Sequence, residues 1–239
     1  MSNRGPRADY GLDAPHVVRN LLLAGAVLAG LAMAADRLGD WGRFRPMLFS
    51  MAAGFLAGGL LMTASSRFGK LRARDRLLDR LALQGHEAVL DVGCGHGLLL
   101  IGAARRLPHG RAVGVDLWSV VDQAANSAAA TLENGRREGV AGRVEVRDGD
   151  MRALPFPDAS FDAVVSSLAI HNVATAGGRR TAIGEIARVL RPGGRIAIMD
   201  IAHIGEYAAA LRAAGMSDVR TTWPSPWVFP PTRAVTARR

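Results

Sequence analysis

Val89-Leu90-Asp91-Val92-Gly93-Cys94-Gly95-His96-Gly97 is the stretch that decides the fold. Val89, Leu90 and Val92 around Asp91 read as the end of a buried strand. The three glycines that follow read as a tight turn into a helix beginning near Leu98. Glycine tolerates positive φ and lets a ligand approach the main chain. A turn of this kind, facing a helix N-terminus, suits a polar or anionic group. The dinucleotide fingerprint G-x-G-x-x-G is not met, because Leu98 stands where its third glycine belongs.

Further strands are legible outward from that turn. Arg111–Val115 ends at Asp116, and an acidic residue about 20 positions beyond the glycine turn is placed to accept ribose hydroxyls. Trp118 follows and suits a flat base. Arg143–Arg147 leads into Asp148-Gly149-Asp150-Met151, and Phe161–Val165 opens into Ser166-Ser167-Leu168-Ala169-Ile170-His171-Asn172. A helical pattern stops at Leu190-Arg191-Pro192-Gly193-Gly194, which turns the chain into a fifth strand, Arg195–Met199, ending at Asp200. In an open parallel sheet, polar strand ends such as these gather in one ligand-binding crevice.

Together, Asp91 to Gly97, Asp116, Gly149-Asp150-Met151, Phe161-Asp162 and Leu190 to Gly194 resemble the ordered motifs of the class I S-adenosylmethionine (SAM) dependent methyltransferases. The resemblance runs from about Leu77 onward, roughly two-thirds of the chain. It implies an α/β fold: a Rossmann-like seven-stranded sheet flanked by helices, closed by an antiparallel edge hairpin. Val219–Trp223 and Ala234–Ala237 are the candidates for that hairpin, and prolines 224, 226, 230 and 231 suit a loop or edge position.

The resemblance also implies site roles. Asp91 would orient the glycine turn and the SAM amino group, and Gly93, Gly95 and Gly97 would admit the methionine portion. Asp116 would bind the ribose hydroxyls. Leu117 or Trp118 would lie against the adenine, with packing an equal alternative for Trp118. Asp150 would receive the adenine amino group, and Met151 would touch the ring. Cys94 would line the loop as a small filler, since no activating base is apparent.

SAM carries its activated methyl group already built in, and S-adenosylhomocysteine would be the product. The protein must hold a nucleophile in line for displacement, exclude water and, where needed, remove a proton. Orientation supplies effective molarities of about 10⁵ M or more in favourable cases. His171 is the first candidate base, because it follows the fourth strand, and Asn172 would orient the acceptor. A structural role for His171 stands beside that reading. Asp200 and His203, beyond the fifth strand, come second, and His96 would line the cofactor loop.

The chain has 239 residues, 49% of them hydrophobic, enough for one domain with a good core and a smaller element. One cysteine excludes an internal disulfide framework, and the scattered histidines lack metal-ligand spacing, so no metal is expected. The first 80 residues carry 12 basic and 6 acidic residues, against 18 and 15 in the remainder. Basic excess therefore sits near the N-terminus, and the remainder has no basic stripe for nucleic acid. Lys70 is the only lysine.

That N-terminal region also holds two apolar runs, at about 17–35 and 47–64. A spanning helix needs about 20 residues, with a range of roughly 17–25. Residues 1–66 are accordingly expected to be a tail and a transmembrane helical hairpin turning at Asp36–Arg45. A signal peptide and a soluble helical subdomain are the competing readings. Gly54 and Gly58 form a G-x-x-x-G pair suited to close helix approach, inside the hairpin or between subunits. Residues 67–80 read as a basic amphipathic linker helix, on the membrane surface or as the first helix of the catalytic domain at 81–239. Basic residues after the second run place both termini and the catalytic domain in the cytoplasm, on what would be a bacterial inner membrane.

The expected function is a membrane-anchored methyltransferase acting on a lipophilic small-molecule or lipid acceptor. Membrane lipids are the expected partners, with homo-oligomerisation possible through the apolar helices. A protein methyltransferase at the membrane, a non-catalytic SAM-binding or assembly protein, and a dehydrogenase with an unusual glycine loop are the alternatives. Trp223, Trp227 and Phe229 would cap an apolar pocket or close the sheet edge.

Overall fold

Alternation along Ala88–Val92 (β1) sends Ala88, Leu90 and Val92 to one face of a sheet and Val89 to the other. All five residues are buried, as befits a central parallel strand covered on both faces. The computed structural model describes residues 8–37, 40–119 and 126–239. Around β1 lie Arg111–Asp116 (β2), Val144–Asp148 (β3), Phe161–Ser167 (β4), Leu190–Asp200 (β5), Ser217–Thr221 (β6) and Arg233–Arg238 (β7). They form one seven-stranded sheet in the order β3-β2-β1-β4-β5-β7-β6. β1 to β5 run parallel, and β7 is antiparallel to both β5 and β6. This is the Rossmann-like sheet that the resemblance implies, and its order reverses between β1 and β4, where such folds open a crevice.

Two apolar layers cover the sheet. On one face, Ala176–Val189 (α6) and Ile204–Ala213 (α7) bury Ile183, Ile186, Tyr207 and Leu211 against Leu90, Val164 and Ile198. On the other, Lys70–Asp79 (α3) and Leu98–Ala104 (α4) bury Leu77, Leu78, Leu99 and Leu100 against Val89, Val165 and Ala197. Ala128–Arg137 (α5) packs beside β3 and is capped by Ser127, whose side chain accepts from the Ala130 N–H.

Several boundaries differ from the sequence expectation. Pro192-Gly193-Gly194 ends α6 at Val189, but the chain enters β5 at once. Leu190 pairs with Phe161 and Arg195 with Ala163, so the proline and glycines form a bulge inside the strand. The Gly193 N–H reaches the Arg239 carbonyl at 3.0 Å, and the Arg239 N–H returns to Gly194 at 3.0 Å. β6 stops at Thr221, two residues short, because Pro224 offers no N–H and holds Trp223 out of a ladder. β3 begins one residue later than expected, at Val144.

The apolar runs form Pro15–Ala34 (α1) and Arg45–Ala64 (α2), packed side by side. Both are long and apolar enough to cross a membrane by length and composition, with mean hydropathies of 1.9 and 1.7 over their best windows. Gly54 and Gly58 are not the close-approach points. A Cβ on Gly54 would meet open space, whereas one on Gly25 would lie 2.7 Å from Leu56 Cγ and one on Gly59 2.8 Å from Leu22 Cδ2. Close approach thus belongs to Gly25 and Gly59, which the helix phase turns inward.

The stretch at 67–80 is not a separate linker. One helical segment runs from Trp41 to Asp79, through a π turn at Ser65–Gly69 into α3. Ala73, Leu77 and Leu78 are buried in the core beneath the sheet. That face packs on α4 and cannot lie on a lipid surface.

Candidate functional site

Strands β1, β2 and β4 end on one side of the sheet, and a cavity of about 740 Å³ opens there. At its cofactor end, Asp91 is 2% exposed, and its Oδ2 accepts the Leu100 N–H at 2.8 Å. Burial is the main cause that pushes the Asp91 carboxyl up to about 8; the Leu100 N–H opposes this and Asp116 reinforces it. Gly93 has φ 72°, and a Cβ there would collide with Ala169. Only glycine lets the turn lie open toward the cavity. The N–H groups of Gly93 and Cys94 both donate to the Val115 carbonyl, at 2.8 and 3.2 Å, which ties the turn to β2.

Asp116 Oδ2 accepts the Gly95 N–H at 2.8 Å, and its Oδ1 accepts the Trp118 N–H at 2.7 Å and Asn126 Nδ2 at 3.2 Å. The carboxylate at the end of β2 thereby locks the glycine turn while lining the cavity. Asp150 also lines it, gripped by Arg152 through Nη2–Oδ2 at 2.6 Å and Nε–Oδ1 at 3.0 Å. That pairing holds its carboxyl below the usual range. Cys94, Gly95, Leu117 and Met151 line the cavity as well.

Two expected cofactor residues do not line it. Gly97 caps α4 at φ 84°, beneath Ile101 and Thr131. Trp118 turns aside: its indole Nε1 donates to Asp148 Oδ1 at 2.5 Å, and it packs against the core. Of the two residues expected at the adenine, Leu117 lines the cavity and is 64% exposed. Cys94 is buried, and burial raises its thiol well above the usual range.

At the other end stand His171 and Asn172, in a short turn at Ile170–Asn172 after β4. His171 Nδ1 lies 2.6 Å from Asp200 Oδ1, and the His171 backbone N–H donates to Asp200 Oδ2 at 3.1 Å. Tyr207 Oη donates to the same oxygen at 3.2 Å, and the Ile201 N–H donates to Oδ1 at 2.8 Å. Asp200 is 1% exposed and does not line the cavity; it stands behind the imidazole and leaves Nε2 as the ring nitrogen for a base role. His203 does not line the cavity; its Nδ1 sits 3.6 Å from Glu206 at the start of α7. Arg179 holds the next loop, bonding Val173 O at 2.9 Å while paired with Glu206 at 2.9 Å.

Several lining residues were missed in the sequence. Tyr10, Asp13, Ala14 and His16 close the cavity from the N-terminal side. Lys70 Nζ anchors them, donating to the carbonyls of Tyr10 and Gly11 at 2.9 and 2.7 Å and to Asp13 Oδ1 at 3.2 Å. Burial is the main cause that lowers its ammonium pKa. Its one signal was being the only lysine in an arginine-rich chain. Met62, Val228 and Pro230 also line the cavity, together with Phe229, the one of the three aromatic pocket candidates that reaches it. Trp227 stacks instead under Arg76 and Arg72, 4.5 and 5.3 Å from their guanidinium carbons, and Trp223 is 91% exposed.

Residues 90–198 match the family described as methyltransferase domain. That stretch of the chain is similar to a methyltransferase domain. Among its relatives, an uncharacterized methyltransferase of Mycobacterium tuberculosis is 34% identical over 125 residues, covering 52% of this chain and 56% of its own. The demethylmenaquinone methyltransferase of Thermus thermophilus is 35% identical over 132 residues, 54% of each chain. The chain thus spans about half the length of the curated relatives it matches. Among solved structures, the [4+2]-cyclase SpnF superposes with a TM-score of 0.59 at 21% identity, over 71% of this chain and 81% of that one. The buried Asp91 carboxyl and the open glycine turn suit the ammonium and methionine portion of SAM, and no cluster of metal-ligating side chains occurs among the described residues.

Proposed function

We propose that this protein is a membrane-anchored methyltransferase whose acceptor is a lipophilic small molecule or lipid. One observation carries the reading: the same cavity is lined by the glycine turn and by Met62, in the last turn of an apolar helix long enough to span a bilayer. Only 17% and 22% of the most apolar windows of the two helices are buried, which leaves an apolar outer surface for lipid. Naming of demethylmenaquinone as the substrate of one relative points the same way.

Bound SAM supplies an electrophilic methyl group. The chain's own residues do the rest. Asp91, Asp116, Leu117, Asp150 and Met151 hold the cofactor, and the N-terminal strap with Lys70 excludes water. His171 takes a proton from a hydroxyl or ammonium acceptor, held in one tautomer by Asp200, while Asn172 orients that acceptor.

The fold alone does not dictate methyl transfer, since its solved likenesses include a cyclase. A labelling experiment decides. Full-length protein and an Asp116→Ala variant are incubated with methyl-labelled SAM and host membrane extract, followed by separation into lipid, protein and aqueous fractions. Asp116-dependent label in lipid is the expected result. Label in protein instead would establish the protein-methyltransferase alternative, and SAM binding without any transfer would favour the binding-protein reading.

A further inference from the structure

The cavity has more wall than the cofactor residues need. Its far side is built from the base of the hairpin: Met62 at the end of α2, Ala14 before α1, and Phe229 and Pro230 from the loop between β6 and β7. That loop is latched to the helix where the apolar run ends. Ser65 Oγ donates to the Phe229 carbonyl at 3.3 Å. Gly69 lies so close to the Trp227 carbonyl that any Cβ would collide with it. Met62 is 8% exposed and Phe229 39%, so the wall passes from buried to open over these two side chains.

Just beyond them the hairpin surface is apolar and uncovered, with Leu60 62% and Leu61 52% exposed. The lining ammonium and guanidinium groups are already paired, Lys70 with Asp13 and Arg152 with Asp150. A phosphate or carboxylate on the acceptor would find no unpaired ammonium or guanidinium among the described lining residues and would bear its own desolvation cost.

From this we infer that Met62 and Phe229 form a lateral portal through which the hydrocarbon chain of a neutral-headed amphiphile runs from the bilayer to the cofactor cavity. The inference rests on the lipophilic-acceptor reading and deepens it. The chain stays in lipid while the head alone enters, so no long apolar tail crosses water. The neutral head reaches His171, and a charged head is turned away.

The test uses full-length protein in phospholipid nanodiscs with two photoactivatable probes. One is a hydroquinone carrying a decyl chain with a diazirine near the ring, and the other is the same molecule phosphorylated on the ring. Labelled positions are mapped by mass spectrometry. The neutral probe is expected to label Met62 and Phe229 above the lipid-facing Leu23 and Val27, and the phosphorylated probe is not. Equal labelling of all four positions, or equal labelling by both probes, overturns the portal.

Two variants separate the portal from its premise. Met62→Trp fills the opening and is expected to raise the apparent KM for the membrane-extract acceptor by about tenfold, with SAM affinity unchanged. Leu61→Trp makes the same change on the outer face and is expected to alter neither. Lipid methylation that proceeds equally well in both variants overturns the portal and leaves the lipophilic acceptor standing. Transfer to protein or aqueous material alone overturns both.

Discussion

Asp91 would couple cofactor binding to protons under the proposed function. Its carboxyl is raised to about 8 in the free protein, so it is mostly protonated at pH 7. The raised pKa favours the folded state at acid pH, and that contribution is lost as pH rises toward 8. An ammonium ligand prefers the ionised carboxylate, so SAM binding at pH 7 should release about one proton. Calorimetry in buffers of different ionisation enthalpy measures this; release should vanish above pH 9 and in Asp91→Asn. In the proposed function Asp200 would act on the acceptor through His171, whose Nδ1 lies 2.6 Å from it. Asp200→Asn is expected to lower kcat by about 10²–10⁴-fold while leaving SAM affinity unchanged; equal loss in binding and turnover would make the residue structural only. The glycine turn, Asp91 and Asp116 were legible because each sits at a strand end that periodicity reveals. For Trp118 the sequence left two readings, and a backbone φ of 57° with the Asp148 hydrogen bond selects packing by turning its ring from the cavity.

Among the elements, the hairpin shows what composition conceals. A G-x-x-x-G spacing marked Gly54 and Gly58, yet the inward face carries Gly25 and Gly59. Small residues abound in both helices, and only the relative rotation of the pair selects which ones meet. Gly25→Ala should therefore destabilise the protein by about 1–3 kcal/mol, since Leu56 must move. Gly54→Ala faces open space and should stabilise by up to about 1 kcal/mol, the helix-propensity gain. Thermal unfolding in one detergent compares the two directly, and a destabilised Gly54 variant would place a partner on that face. The strands were legible to within two residues except β5, which begins at Leu190 where Arg195 was expected because the bulge at Pro192-Gly193-Gly194 lies inside the strand. The stretch at 67–80 was legible as a helix but not as a continuation of α2. Of its two readings, a helix on the membrane surface or the first helix of the catalytic domain, the burial of Ala73, Leu77 and Leu78 in the core fits the second.

At the scale of the molecule, the apolar hairpin and the cofactor cavity form one object. Alkaline carbonate washing of host membranes should leave the full-length protein in the pellet, and release into the supernatant would sink the anchor. The N-terminal strap ties the two parts together through Lys70, Asp13 and Ser66, whose hydroxyl donates to Asp13 Oδ2 at 3.0 Å. Lys70→Met removes the ammonium donor from Asp13 Oδ1 and from the carbonyls of Tyr10 and Gly11. Amide exchange in residues 8–13 should then accelerate, because each buried unsatisfied group costs about 1–3 kcal/mol; unchanged protection would make the strap independent of the lysine. The sequence by itself determined the methyltransferase sheet, its glycine turn and the two apolar helices, because periodicity, turn residues and run length are local properties. Only the tertiary structure decided that Tyr10, Asp13, Met62, Lys70 and Phe229 share a cavity with Asp91, since those contacts join residues far apart in the chain and leave no periodic trace. It also decided that Asp200 stands behind His171, a relation set by two neighbouring strands whose side chains meet only once the sheet has formed.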